Sequence, residues 1–286
     1  MTEWEAWIGR EECRSDQVDK CSVARWLAAL DRGAPADGSV PQGFHWCLCL
    51  PDAPTGALGA DGHPLRDESP DSFLPPIALP RRMWGASKVD FVKALHPGQA
   101  ITRKSHIASI VEKRGNSGTL VFAEVAHVTY ADSAVAVRET QSIVYRAAAP
   151  SGGATSPPPL GETRFDPSAW DEHRVLRPSE PLLFRYSALT FNSHRIHYDL
   201  PYATREEGYR GLVVHGPLTA TLLLSLAQEC FGDNSLSQFN FRGTSPAVAG
   251  EDMHLVLRGD GDSIELGAFA GDGRQIMEAS ARRLPS

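Results

Sequence analysis

The segment Leu218–Glu229 is apolar around its whole circumference: Leu218, Ala220, Leu222, Leu223, Leu224, Leu226 and Ala227 leave almost no polar face. A helix of that kind must be enclosed on every side. The apolar stretch is about ten residues long, half of what a bilayer crossing needs, so protein has to do the enclosing. Strand-like segments follow at Met253–Leu257, Ile264–Ala270 and Gln275–Arg282. In the second of these, Ile264, Leu266, Ala268 and Ala270 alternate with their neighbours at period two. A buried helix followed by antiparallel strands predicts an α+β fold in which a sheet wraps around the helix.

The 286 residues are 42% apolar, enough for one or two cores and too many for a disordered chain. A stretch at 147–168, with the run Ala-Pro-Ser-Gly-Gly-Ala-Thr-Ser-Pro-Pro-Pro, has the composition of a linker and separates residues 1–146 from 169–286. The first half reads as a helix at Val18–Leu30 and strands at Phe44–Leu50, Ile101–Ile110, Leu120–Tyr130 and Ala134–Tyr145. Gly115-Asn116-Ser117-Gly118 supplies hairpin chemistry between two of them. The second half reads as a strand at Leu182–Phe191 and a short helix at Pro201–Gly208 before the buried helix. Residues 51–80 hold seven prolines and form an irregular segment, either a cover for part of a site or passive surface. Phe91 with Gly98, and Phe241 with Gly250, each precede a strand at nearly the same spacing, which suggests two copies of one unit.

The net charge of −7 disfavours a general nucleic-acid binder, which needs a basic face. Neither a membrane span nor a signal segment is expected. The five cysteines form no CxxC pair, and reduced thiols in a cytoplasmic setting fit best. Sequences for a phosphate loop, a dinucleotide fold, a GxSxG serine or an HExxH metal site are absent.

Two stretches carry candidate chemistry. Phe191-Asn192-Ser193-His194-Arg195-Ile196-His197-Tyr198-Asp199 places two histidines beside an amide and a carboxylate, at the kind of connection that often bears function. The alternative is a polar turn in which Asp199 caps a helix beginning at Pro201. His194, His197 and Asp199 could also group around a metal, but no metal is expected. Val213-Val214-His215-Gly216-Pro217 opens the buried helix. The bare N–H of Gly216 and the partial positive charge of the helix end suit a developing oxyanion; a plain helix start is the bland reading.

In order and spacing, Asn192-x4-His197, then Val213-Val214-His215-Gly216-Pro217-Leu218-Thr219-Ala220, then Phe241, Pro246 and Gly250, resemble the MaoC-like hydratases and dehydratases of the hotdog fold. Arg185–Asp199 resembles the double-hotdog branch, which includes hydroxyacyl-thioester dehydratase type 2 and the mesaconyl-C4-CoA and itaconyl-CoA hydratases. Arg82-Met83-Trp84-Gly85 and Gly115–Phe122 extend the likeness more loosely into the first half. The resemblance implies a double hotdog of two antiparallel sheets, each wrapped around a long central helix. It implies a C-terminal catalytic unit and an N-terminal unit that shapes the acyl pocket.

The resemblance also implies water addition to, or removal from, an acyl-thioester double bond. The Gly216 N–H would hold the thioester oxygen and His197 would carry the proton. The family's carboxylate, five residues before that histidine, is here Asn192, which can orient a water but cannot exchange a proton as a carboxylate does. Asp199, His194 and His215 are expected to support His197, and Arg195, Arg242 and Arg103 are candidates for a substrate carboxylate. The expected substrate is a short dicarboxylic enoyl-CoA. Alternatives are a fatty 3-hydroxyacyl-thioester dehydratase, a hotdog thioesterase and a silent acyl-CoA-binding protein. CoA enters as part of the substrate, no separate cofactor is expected, and a monomer and a homodimer are both compatible with the sequence.

Overall fold

A computed structural model of the chain describes residues 4–115, 118–147, 156–259 and 261–285. Asn116 and Ser117 of the expected hairpin, and residues 148–155 of the expected linker, lie outside the described residues. The first half contributes β1 (Glu11–Gln17), α1 (Lys20–Ala29), β2 (Arg81–Phe91), β3 (Ala100–Gly115), β4 (Gly118–Ala131) and β5 (Ala134–Arg146). The second contributes β6 (Glu172–Leu176), α2 (Glu180–Leu189), α3 (Gly216–Phe231), β7 (Leu236–Gly243), β8 (Met253–Arg258), β9 (Ser263–Ala270) and β10 (Gln275–Arg283).

Each half builds five antiparallel strands, and the two sets join edge to edge in the order β1-β3-β4-β5-β2-β7-β10-β9-β8-β6. The seam is the antiparallel β2–β7 pair, with Ala86 opposite Arg242 and Asp90 opposite Gln238. The period-two reading of β9 corresponds to burial of Ile264, Leu266, Ala268 and Ala270. Helix α3 is buried from Leu218 through Gln228 without a break, and Leu223 and Leu224 are fully enclosed.

The two halves repeat down to single hydrogen bonds. The N–H of Gly98 donates to the Val18 carbonyl and that of Gly250 to the Pro178 carbonyl, both at 2.8 Å. Both glycines adopt positive φ, 91° and 80°, where a side chain would be strained. Asp19 caps α1 and Ser179 caps α2. Seven residues beyond each cap stand the buried aromatics Trp26 and Tyr186, and twelve beyond stand Asp31 and Phe191, both at positive φ. The next residues, Arg32 and Asn192, each donate their N–H back into the helix, to Leu27 at 2.9 Å and to Ser187 at 2.8 Å.

This register alters several expectations. Leu182–Phe191 is helix α2 rather than a strand. Ser179 accepts from the Leu182 N–H and Pro181 occupies the first turn, and these start signals outweigh the aromatic content. Phe44–Leu50 is not a strand either: Phe44–Cys47 is a 3-10 turn. The helix at 18–30 is the counterpart of α2, not of α3. Among the described residues the first half has no long central helix, and the Phe44–Cys47 turn stands where the second half starts α3. Strands β1, β2, β6 and β7 were not visible in the sequence pattern. No helix of the described residues is long and apolar enough to cross a membrane.

The Pro-rich segment is ordered by specific contacts. Arg66 donates to the carbonyls of Ile77 and Leu79, and Trp7 Nε1 donates to Ser72 Oγ at 3.2 Å. Ile77 joins Ile107, Ile110, Val121, Ala123 and Tyr145 in a second, smaller core.

Because α3 has no water-facing side, Leu223→Ala should cost about 3 kcal/mol, within the range for fully buried leucines. Denaturant unfolding should show the midpoint falling with an unchanged slope.

Candidate active site

A cavity of about 1280 Å³ runs between the two halves and reaches Asn192, His194, His197, His215 and Gly216. The connection from α2 to α3, residues 190–215, positions these groups. Residues Arg195–His197 form a 3-10 turn, and Ile196, Ala203, Tyr209 and Val213 pack beneath it as a small apolar cluster.

His197 is buried. Its Nδ1 lies 2.7 Å from the Val213 carbonyl. A carbonyl only accepts, so Nδ1 carries the proton and Nε2 keeps its lone pair. The ring stacks on His215 at 3.6 Å between centroids and meets His194 edge-on at 5.5 Å. Burial, with help from His194 and His63, pushes the His197 imidazolium down to about 3. At neutral pH the ring is therefore neutral with a free acceptor nitrogen, the state a general base requires.

His215 stands immediately before α3 and places Nε2 2.8 Å from Ser187 Oγ, and burial holds it neutral as well. Gly216 begins α3 at the cavity wall with Pro217 behind it. A methyl at Gly216 would meet only the Trp84 carbonyl, at 3.9 Å, so the backbone here borders open space. Helix α3 directs its positive end here.

Asn192 Oδ1 accepts the His194 N–H at 3.0 Å, which fixes the amide at the cavity wall. Asp199 is turned away: it takes the Arg195 guanidinium at 2.7 and 3.0 Å and caps the following turn through the Tyr202 N–H at 3.1 Å. The partner orienting His197 is thus the Val213 carbonyl and not Asp199. Arg195, bound to Asp199 and the Ala60 carbonyl, does not line the cavity. Nor does Arg242, which pairs with Glu278 on the exposed side of the seam. Arg103 reaches the cavity but donates to the carbonyls of Leu48 and Cys49 at 3.3 and 2.7 Å.

Several cavity groups were not among the site residues expected from the sequence, although Arg82 belongs to the stretch that extends the family likeness into the first half. Arg82 lines the cavity, with its charge reaching His194 and Tyr145. The Pro-rich segment does cover the site, bringing Asp61 and His63 against His194. His63 and His194 lie 4.0 Å apart between ring centroids, and His63 Nδ1 is 3.0 Å from Asp61 Oδ2. Asp61, His63 and His194 are the described residues that could group around a cation, their potential ligand atoms lying within 4.8 Å of one another. Asp-Gly-His in a proline-rich stretch was the available signal, but nothing local ties that stretch to residues 130 positions away. The first-half wall mixes apolar residues with a polar patch: His127 bonds Ser105 and Gln141, and buried Glu139 accepts from Ser87 and Trp46.

A helix N-terminus and a neutral, buried imidazole line one cavity between two hotdog-like halves, an arrangement suited to an acyl-thioester hydro-lyase. Residues 43–249 match the family model for hydroxyacyl-thioester dehydratase type 2. The chain is 40% identical to a mesaconyl-C(4)-CoA hydratase of Chloroflexus aurantiacus over 97% of each. Among solved structures it resembles a MaoC-like dehydratase from Phytophthora capsici, with a TM-score of 0.72, 15% identity and 97% of each chain covered. It also resembles a double-hotdog protein of Mycobacterium tuberculosis, with a TM-score of 0.56, 12% identity and 97% and 96% covered. The chain belongs to the hydroxyacyl-thioester dehydratase type 2 family, and its fold is the double hotdog.

The neutral histidines also set an acid response. In the unfolded chain an imidazole binds a proton below its ordinary 6.5, whereas folded His197 and His194 do so only near 3. Between these values the unfolded state holds more protons, so stability falls as pH drops through the window. The melting temperature should decline steadily from pH 6.5 to 4, and His197→Gln should make that decline shallower.

Proposed function

We propose that the protein hydrates mesaconyl-C4-CoA to citramalyl-CoA, with itaconyl-CoA as a related candidate substrate. The observation that carries this reading is Arg82: it lines the cavity, hydrogen-bonds Tyr145, extends its charge to His194 and has no carboxylate partner among the described residues. In mesaconyl-C4-CoA the second carboxylate sits on the β carbon, next to the point of water addition. A guanidinium close to the histidines is where such a group would be bound. The relative at 40% identity is named for this substrate.

Polar groups in the first-half wall are compatible with the same reading: beside apolar residues such as Trp84, Val125 and Ile143, the cavity presents Arg103, His127, Glu139 and Gln141. Arg81, also at the cavity, is committed to Glu207 at 2.7 Å, which leaves Arg82 as the better carboxylate ligand. The fatty 3-hydroxyacyl-thioester dehydratase is the second reading, favoured by the family description.

In the hydration direction the thioester oxygen lies at the Gly216 N–H. His197 Nε2 takes a proton from water as the water oxygen bonds to the β carbon. Negative charge moves to the thioester oxygen, where the N–H and the helix end stabilise it. Asn192 holds the water through its amide.

His197→Ala should lower kcat at least about a hundredfold, the lower range of general acid–base assistance. Arg82→Gln should raise KM for mesaconyl-C4-CoA roughly ten- to a hundredfold, as expected on losing a charged hydrogen bond, and leave any slower crotonyl-CoA reaction unchanged. Loss of the enoyl-thioester absorbance, followed beside a free-thiol assay, reads both. Thiol release in place of hydration would identify a thioesterase, and equal loss on both substrates would remove Arg82 from substrate binding.

A further inference from the structure

Hydration moves protons at two places: one leaves the attacking water, and one reaches the α carbon. The second transfer is made either by the group that took the water's proton or by a separate group that can store and return one. Asn192 cannot do this, Asp199 is held by Arg195, and His197 and His215 lie stacked with no carboxylate beside them. The chain offers a separate group from its other half.

We infer, resting on the hydratase reading, that Asp61 and His63 form the second proton-transfer group of the site, with His63 as the group that protonates the α carbon and Asp61 as its positioning residue. Asp61 uses both carboxylate oxygens on His63: Oδ1 accepts the backbone N–H and Oδ2 the ring Nδ1, each at 3.0 Å. The second bond places the ring proton on Nδ1 and leaves Nε2 for exchange, while the carboxylate supports the charged ring, as in catalytic acid–histidine pairs. His63 lines the same cavity as Asn192, His197 and Gly216, and its ring rests against His194.

The segment is built onto the Asn192–Asp199 connection rather than draped over it. Ser193 Oγ donates to the Gly62 carbonyl at 2.6 Å and the Arg195 N–H to the Asp61 carbonyl at 2.9 Å. A side chain at Gly62 would collide with the Ser193 carbonyl, its Cβ coming within 2.0 Å. Glycine between Asp61 and His63 is therefore what lets the pair approach.

The step balances. His197 Nε2 takes a proton from water as the oxygen–Cβ bond forms, and the π pair of the double bond moves to the enolate at Gly216. His63, entering the step with protons on both ring nitrogens, then gives the Nε2 proton to Cα, keeps the Nδ1 proton toward Asp61, and the enolate returns to a thioester. His197 releases its proton to solvent and His63 regains one, so the protein ends as it began.

Asp61→Asn tests this with little disturbance, since Oδ1 remains an acceptor for the His63 N–H. Asp61→Asn and His63→Ala should each lower kcat for mesaconyl-C4-CoA at least about tenfold with KM nearly unchanged. Asn192→Asp added to Asp61→Asn should restore at least about tenfold by returning a carboxylate to the cavity wall. EDTA should leave the wild-type rate unchanged. Wild-type kcat in both single variants, with His197→Ala still inactive, would overturn the Asp61–His63 role and leave the hydratase reading standing. Loss in Asp61→Asn without recovery by Asn192→Asp would show that Asp61 serves only the loop. Loss with EDTA that zinc reverses would make the cluster a cation site. A wild type that hydrates no enoyl thioester would overturn the hydratase reading and this inference together.

Discussion

Helix α3 has no face it can show to water, and the rest of the molecule is arranged around that constraint. Its leucines are covered by β7–β10 on one side and by α1, α2 and the Phe44–Cys47 turn elsewhere within one continuous core. Covering the helix completely fixes its direction. Its N-terminus then emerges at the cavity between the halves. The first half does not need a second long helix. Its sheet extends the second sheet through β2 and β7, and the volume freed by the missing helix is available to the cavity.

The site follows from that geometry. The Val213 carbonyl, at the approach to α3, sets the His197 tautomer, and burial against His215 and His194 keeps the ring neutral. The same burial that activates the lone pair makes a lasting positive charge on His197 costly. The Pro-rich segment places a carboxylate, Asp61, in the wall of the same cavity. The repeat shows how the two halves have diverged: at the position equivalent to Asn192 the first half has Arg32, whose guanidinium reaches Ser225 and Gln228 of α3 and packs the core rather than the cavity.

Much of this was legible in the sequence because it is local or periodic. The all-round apolar pattern of 218–229, the alternation in β9 and the order of Asn192, His197 and Gly216 are written in consecutive residues. The repeat was visible as the paired spacings of Phe91–Gly98 and Phe241–Gly250, and it proved to be a shared hydrogen bond at each glycine. What was illegible depends on long-range contact. Leu182–Phe191 reads as a strand by composition, and only its Ser-Glu-Pro start reveals a helix. Arg195 and Asp199 look like site residues by proximity in sequence, yet they satisfy each other outside the cavity. Arg82, Asp61 and His63 join the site from more than a hundred positions away, and no spacing rule finds them.

The central claim is that His197 works as a neutral base with Nε2 open to the cavity. Long-range proton–nitrogen NMR spectra of histidine-labelled protein, with His197 assigned by comparison with His197→Gln, test it most directly. The account predicts a single neutral form protonated on Nδ1 throughout pH 5 to 8. An Nε2-protonated tautomer, or a doubly protonated ring at pH 6, would contradict it.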